Sequence, residues 1–218
     1  EIADGDWSSD VCSSDLICEE MDIDIWETIE AASTKPYGFQ PFYPGPGVGG
    51  HCIPVDPFFV SWKARETGND ARFVELAGQI NRNRPNYIVS RVADLLNERE
   101  KCLHSSRVLI LGMAYKKDIG DLRNSPGLKI AEILLNKGAE IEYNDPLVTE
   151  VELGDSGLHL RSRELDSSLL KGVDAVIIVT DHSDYDYERI VNDSNLVIDT
   201  RNATEGVEVC EGCEVVKI

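Results

Sequence analysis

The spacing of apolar residues changes character once along this chain, and that change limits the folds available to it. Up to Cys102 they recur at helical intervals; beyond it they come in short β-branched runs separated by helical stretches. Ile17, Met21, Ile25 and Ile29 recur at fours with Trp26 on the adjoining face, which predicts a helix from Leu16 that Lys35-Pro36-Tyr37-Gly38 stops. Asp56-Pro57 opens a second helix through Phe58, Phe59, Trp62 and Ala64, ended by Thr67-Gly68-Asn69. A longer periodic run carries Phe73, Leu76, Ile80, Tyr87, Val89, Val92, Leu95 and Leu96, with Pro85 expected to kink or break it. After Cys102, Arg107 to Gly112 reads as a buried parallel strand, Pro126 to Lys137 as a helix capped by Gly138, and Ala139 to Tyr143 as a second strand. A weak third strand lies near Leu158 to Leu160, a fourth over Asp174 to Thr180 and a fifth over Asn195 to Asp199. The expected class is α/β: a helical region over residues 16–101, then a Rossmann-like, doubly wound parallel sheet over 102–218 whose ligands sit at the carboxyl ends of its strands.

With 218 residues and an apolar share of 42%, the chain can bury real cores. Its net charge of -19 repels phosphate at long range, which excludes nucleic acid and anionic membrane as partners and demands a local basic cluster for any phosphate ligand. No apolar run approaches the roughly 20 residues that span a bilayer, and a cytoplasmic protein is expected. The six cysteines are scattered, as reduced thiols are. Cys210-Glu211-Gly212-Cys213 lacks a second pair at zinc spacing and reads as a hairpin turn, so no metal is expected. Residues 1–15 stand apart: Ser-Ser-Asp repeats around Val11-Cys12 without helical or strand period, the mark of a foreign or mis-assembled start, with a native Ser/Asp loop as the alternative.

Two segments carry chemistry. In Tyr43-Pro44-Gly45-Pro46-Gly47-Val48-Gly49-Gly50-His51-Cys52-Ile53-Pro54-Val55-Asp56, glycines let the backbone approach a sugar or phosphate and prolines stiffen the loop that presents one thiol, with a carboxylate four residues on. Cys52 suits a nucleophile that passes through an acyl intermediate, and Asp56 suits the orientation of the water that ends it. His51 adjoins Cys52, but neighbours in an extended segment face opposite ways, which argues against a Cys-His dyad. The second segment runs from Gly112 to Pro126 and sets Lys116, Lys117 and Arg123 in a crevice loop, with Ser125 as N-cap and Pro126 at the first helical position. Arg201, past the fifth strand, lies on the same edge. Gly112 does not begin a G-x-G-x-x-G, so the sheet lacks the usual dinucleotide fingerprint.

Taken in order, Pro44-Gly45-Pro46-Gly47-Val48-Gly49-Gly50-His51-Cys52-Ile53-Pro54-Val55-Asp56, then Tyr115-Lys116-Lys117-Asp118 with Asp121-Leu122-Arg123-Asn124-Ser125-Pro126, then Asp145-Pro146, resemble the UDP-glucose/GDP-mannose dehydrogenase family, most closely its UDP-N-acetylglucosamine 6-dehydrogenase branch. The resemblance covers residues 16 to about 205. It implies an NAD-dependent enzyme that oxidises the C6 alcohol of a UDP-N-acetylhexosamine or UDP-glucose to the acid in two hydride transfers through a cysteine thioester. It also implies that this chain is a partial one, a central dimerisation region and a UDP-sugar domain without the NAD domain, inactive alone and forming a homodimer or larger homo-oligomer. Carried over by position, Cys52 and Asp56 are catalytic; Tyr43, Pro44, Gly45, Pro46, Gly47, Val48, Gly49, Tyr115, Lys116 and Arg201 bind the sugar nucleotide; Cys52, Ile53, Pro54, Val55 and Arg123 approach NAD. The family's oxyanion-stabilising lysine and asparagine belong just ahead of Leu16, where this chain has its Ser/Asp repeat. Competing readings are a non-catalytic nucleotide-sugar-binding and oligomerisation module, and a cysteine hydrolase, for which no oriented histidine base is found.

Overall fold

The β-branched runs after Cys102 are apolar on both faces, and only a sheet covered on both sides buries them. In the computed structural model, which describes residues 8–154, 157–209 and 212–218, the strands β1 (Arg107–Leu111), β2 (Glu140–Asn144), β5 (Ala175–Ile178), β6 (Leu196–Asp199) and β7 (Glu214–Lys217) form one sheet. Its order is β2-β1-β5-β6-β7 and every pairing is parallel. Alternate residues of β1 face opposite cores. Val108 and Ile110 pack toward α4 (Arg72–Glu98) and α5 (Pro126–Asn136), whereas Leu109 and Leu111 join Leu169, Leu170 and Ile190 from α6 (Ser167–Gly172) and α7 (Tyr187–Asp193). The sheet is therefore doubly wound, as expected. Ile88, Val89, Val92, Leu95 and Leu96 of α4 are all buried in the first core; at about 1.5–3 kcal/mol for each such side chain, packing rather than helix propensity docks that helix.

Several boundaries differ from expectation, each for a local reason. The first helix is two: α1 (Ser8–Glu20) and α2 (Ile25–Ser33) are separated by Asp22 at φ 56°, and Asp24 caps α2 by accepting from the Trp26 and Glu27 amides. The helix α1 starts inside the stretch without a period because side-chain ionic contacts hold it to α4, Asp15 to Arg84 and Glu19 to Arg91. The helix α3 (Cys52–Glu66) begins four residues before Asp56, so the thiol sits in its first turn. Pro85 does not break α4, which runs unbroken through it; the proline removes one donor, but it is itself buried, as are Ile88 and Val89 one turn on, and that packing holds the helix together.

The expected third strand is not in the main sheet. Leu158–Arg161 (β4) pairs antiparallel with Glu150–Leu153 (β3), which sequence reasoning missed, as a separate two-stranded ribbon. Cys210 and Glu211 lie outside the described residues; β7 beyond them runs parallel to β6, so the connection is a crossover and not a hairpin.

Gly112 ends β1 at φ 83°, where a Cβ would lie 2.5 Å from the Thr180 Cβ and 2.7 Å from its carbonyl oxygen. Gly112→Ala combines a left-handed backbone with a backbone collision, and should lower unfolding free energy by about 2–3 kcal/mol. A urea midpoint equal to that of the unsubstituted chain would contradict this close approach.

Candidate functional site

The carboxyl ends of β1, β5 and β6 meet the glycine-rich loop of residues 43–51, and three cationic side chains or their neighbours hold it there. From α4, the buried Arg84 donates its Nε–H to the Gly45 carbonyl at 3.2 Å. From the end of β6, Arg201 lies so close that a Cβ on Gly45 would stand 2.8 Å from its Nη1. Arg201 itself is anchored by its Nε–H to the Val179 carbonyl at 2.9 Å and by its amide to Asp199 at 2.9 Å. Burial pushes the guanidinium pKa below its usual value, with Asp181 and Asp199 acting the other way. Such a partly desolvated cation gains most from an anion that arrives with its own charge.

The third hold is the segment after β1. The Gly50 amide donates to the Arg123 carbonyl at 2.8 Å, and Asn124 donates its side-chain amide to the Gly50 carbonyl at 2.8 Å. Tyr115 lies flat against the same turn: a Cβ on Gly49 would stand 2.4 Å from the Tyr115 Cβ, and Gly50, at φ 87°, would meet its ring at 3.1 Å. Glycine at both positions is what allows the thiol loop to seat on the sheet's crevice loop.

Around this junction the predicted residues fall into place unevenly. Pro44, Gly45 and Pro46 are buried under Arg84 and Arg201, while Gly47, Val48 and Gly49 are half-buried. Cys52 is exposed in the first turn of α3, with Asp56 one turn on and Ile53 exposed beside it; Pro54 and Val55 are half-buried. Arg123 grips Asp121 in a two-pronged pair, Nε to both carboxylate oxygens at 3.1 and 3.0 Å and Nη2 at 2.6 Å. That pair raises the Arg123 pKa and lowers that of Asp121, and Tyr115 and Cys52 add their fields at Arg123. Lys116 projects into solvent, whereas Lys117 is partly spent on Asp181 at 3.3 Å. Tyr43 is half-exposed and stacks on Trp26, ring centroids 5.5 Å apart.

One geometric premise is overturned. His51 is not extended: at φ -109° and ψ -51° it already turns with the helix, and donor atoms of His51, Cys52 and Asp56 all lie within 4.8 Å of one another. The opposite-faces argument holds for strands and fails at a helix entry.

A buried brace lies behind the crevice loop. The Asp145 carboxylate accepts from the amides of Met113, Ala114, Leu147 and Val148 at 2.7–3.0 Å, and His182 sits on it at 3.3 Å. The other ring nitrogen of His182 accepts from the Asp118 amide at 3.0 Å, and Asp118 in turn accepts from the Ser183 amide and hydroxyl. Both ends of residues 113–118 are thus pinned to the segments that follow β2 and β5.

Two family models match this chain. Residues 13–83 match the central domain of the UDP-glucose/GDP-mannose dehydrogenase family, and residues 109–206 match its UDP-binding domain. The chain belongs to that family. The UDP-N-acetyl-D-mannosamine dehydrogenase of Methanococcus maripaludis is 31% identical over 198 residues, which are 87% of this chain and 43% of the relative. The protein of that name from Escherichia coli is 31% identical over 186 residues, 83% of this chain and 42% of the relative. Among solved structures, a UDP-D-ManNAc dehydrogenase from Pyrococcus horikoshii superposes with a TM-score of 0.82 at 28% identity, over 97% of this chain and 48% of that one. The chain therefore spans less than half the length of these family members. The mannosamine in their names differs at one stereocentre from the glucosamine of the branch that the motifs suggested.

Sequence reasoning passed over Arg84 and His182, and quoted Asn124 and Asp145 only as parts of motifs, without the roles that the structure gives them. Arg84 carried a signal: it stands four residues after Ile80, on the stripe that turns inward, where a cation needs a partner. The roles of Asn124 and His182 had no local signal, since their partners Gly50 and Asp118 are 74 and 64 residues away.

Proposed function

We propose that this chain is the central and UDP-sugar-binding part, residues 16–101 and 102–218, of an NAD-dependent UDP-sugar 6-dehydrogenase acting on a UDP-N-acetylhexosamine or UDP-glucose. The observation that carries the reading is the seating of the Cys52 loop on the basic crevice loop through Gly50, Arg123 and Asn124, which sets a thiol beside the family's UDP-binding domain. Arg201 and Lys116 supply charge for the pyrophosphate, Tyr115 a ring beside it, and residues 43–49 a close-fitting wall for the sugar. The names of the relatives favour N-acetylmannosamine as the first sugar to assay.

Cys52, Ile53 and Arg123, an exposed thiol, an exposed apolar side chain and an exposed cation, suit a nicotinamide nucleotide held mostly by another part of the protein, with the half-buried Pro54 and Val55 next to them in α3. When bound, NAD supplies the acceptor for both hydrides. Cys52 would add through sulfur to the C6 aldehyde, its proton ending on the aldehyde oxygen as the C–S bond of a thiohemiacetal forms; removal of the C6 hydride together with the hydroxyl proton, which passes to solvent, would leave the thioester on Cys52. Asp56, one helical turn away, takes the proton of the water that attacks this carbonyl, and the C–S bond breaks to release the acid and the thiol. A thiol used this way needs a reducing compartment, in keeping with a cytoplasmic site. A groove of about 1180 Å³ lined by Phe58, Phe73, Leu76, Ile80 and Leu128 supports the homo-oligomer reading, for a second copy would cover it.

Calorimetry of this chain with UDP tests the proposal. Binding should be measurable, and Lys116→Ala should weaken it about tenfold without changing the unfolding midpoint. No heat of binding at millimolar UDP would overturn the reading.

A further inference from the structure

The sequence spacing pointed to no metal because it offered only one C-x-x-C; the fold assembles a donor set elsewhere. His51, Cys52 and Asp56 present an imidazole nitrogen, a thiol sulfur and a carboxylate oxygen within 4.8 Å of one another, all three side chains exposed. The cause is local: helical backbone at His51 turns its ring toward the start of α3, and Asp56 follows Cys52 by four residues, hence on the same helix face.

We propose that His51, Cys52 and Asp56 form a binding site for a thiophilic divalent cation, with Zn²⁺ as the ion of choice. Nitrogen, thiolate and carboxylate are the donors zinc takes, and tetrahedral bonds of about 2.0–2.3 Å set them about 3.3–3.7 Å apart. The three need to close by little more than an ångström. Among the described residues none of them holds a hydrogen bond that would have to break, so closure costs rotamer freedom alone. Thiolate and carboxylate together match the charge of the ion, and the thiol proton leaves to solvent as the S–Zn bond forms. The nearby positive charge of Arg123 is countered by Asp121 at 2.6 Å. The fourth position stays open to water, as at sites with three protein ligands. Occupancy takes the sulfur out of carbonyl chemistry, so micromolar zinc would silence the enzyme. That consequence rests on the proposed role of Cys52; the binding itself does not.

Cobalt reports on such a site through the thiolate-to-metal charge-transfer band in the near ultraviolet. The test uses this chain with Cys210→Ser and Cys213→Ser, so that the C-x-x-C cannot contribute. One equivalent of Co²⁺ should give the band, and Zn²⁺ should displace it. Cys52→Ser should remove the band, and His51→Ala and Asp56→Asn should each weaken binding tenfold or more, with circular dichroism unchanged. A band that survives Cys52→Ser, or an affinity indifferent to His51→Ala, overturns the site. UDP calorimetry on the same samples separates the two readings: UDP binding without metal binding sinks only the metal site, and metal binding without UDP binding sinks only the dehydrogenase.

Discussion

In a catalytically complete dehydrogenase carrying this chain, Cys52→Ser is expected to abolish formation of the uronic acid, with turnover falling roughly 10³-fold or more. A serine hydroxyl is un-ionised at neutral pH and adds poorly to an aldehyde unless a base takes its proton, so the second oxidation loses its covalent handle. The substitution should spare binding. Cys52 is exposed, and the contacts that seat its loop run through Gly50, Arg123 and Asn124, none of which uses the sulfur. UDP affinity should stay within about twofold, while chromatography of the reaction shows either no product or aldehyde alone. Acid production by the serine variant at the unsubstituted rate would remove Cys52 from the mechanism.

Asp145→Ala should be the most destabilising of the single substitutions considered, at about 3–5 kcal/mol. It would leave the buried amides of Met113, Ala114 and Val148 and the part-buried amide of Leu147 without their acceptor and His182 without its carboxylate, in a core position that is 2% exposed. Burial by itself would raise the Asp145 pKa, but the hydrogen bonds from His182, Ala114 and Leu147, with the field of His182, outweigh it and the net direction is down. A carboxylate whose folded value lies below the unfolded one, about 3.9, contributes stability that is present above that pH and lost as pH falls through the folded value. The gap in urea midpoint between the unsubstituted chain and Asp145→Ala should therefore be widest from pH 5 to 8 and narrow below pH 4. A gap constant down to pH 3 would mean that the charge of Asp145 plays no part. Because the same brace pins residues 113–118, partial unfolding should also take Tyr115 and Lys116 out of position, and UDP binding should fail at lower urea than the sheet does.

How far the residues announced their structure varied with the range of the interaction. The four parallel strands other than β7 and the helices α3 to α5 were legible because a strand period, an N-cap such as Ser125 or a stop such as Gly138 acts within a few residues. The start of α3 was misplaced because Pro54 and Pro57 look like loop residues, yet Pro54 falls in the first turn, where amides have no helical acceptor, and Pro57, inside the helix, removes a single intrahelical bond. The ribbon of β3 and β4 escaped notice because Glu150–Leu153 has only two apolar residues to alternate.

From the order of residues alone came the α/β class, the glycine-rich loop with Cys52 and Asp56, and the positions of Lys116, Arg123 and Arg201 in the segments that follow β1 and β6, all of which follow from turn chemistry and short-range periods. Tertiary structure alone decided what holds that loop: Arg84 reaches Gly45 across 39 positions and Asn124 reaches Gly50 across 74. It also decided that His51 stands beside Cys52 and not across from it. The reason is physical: a period encodes which face a residue shows, whereas the partner it meets on that face depends on how separately encoded elements pack.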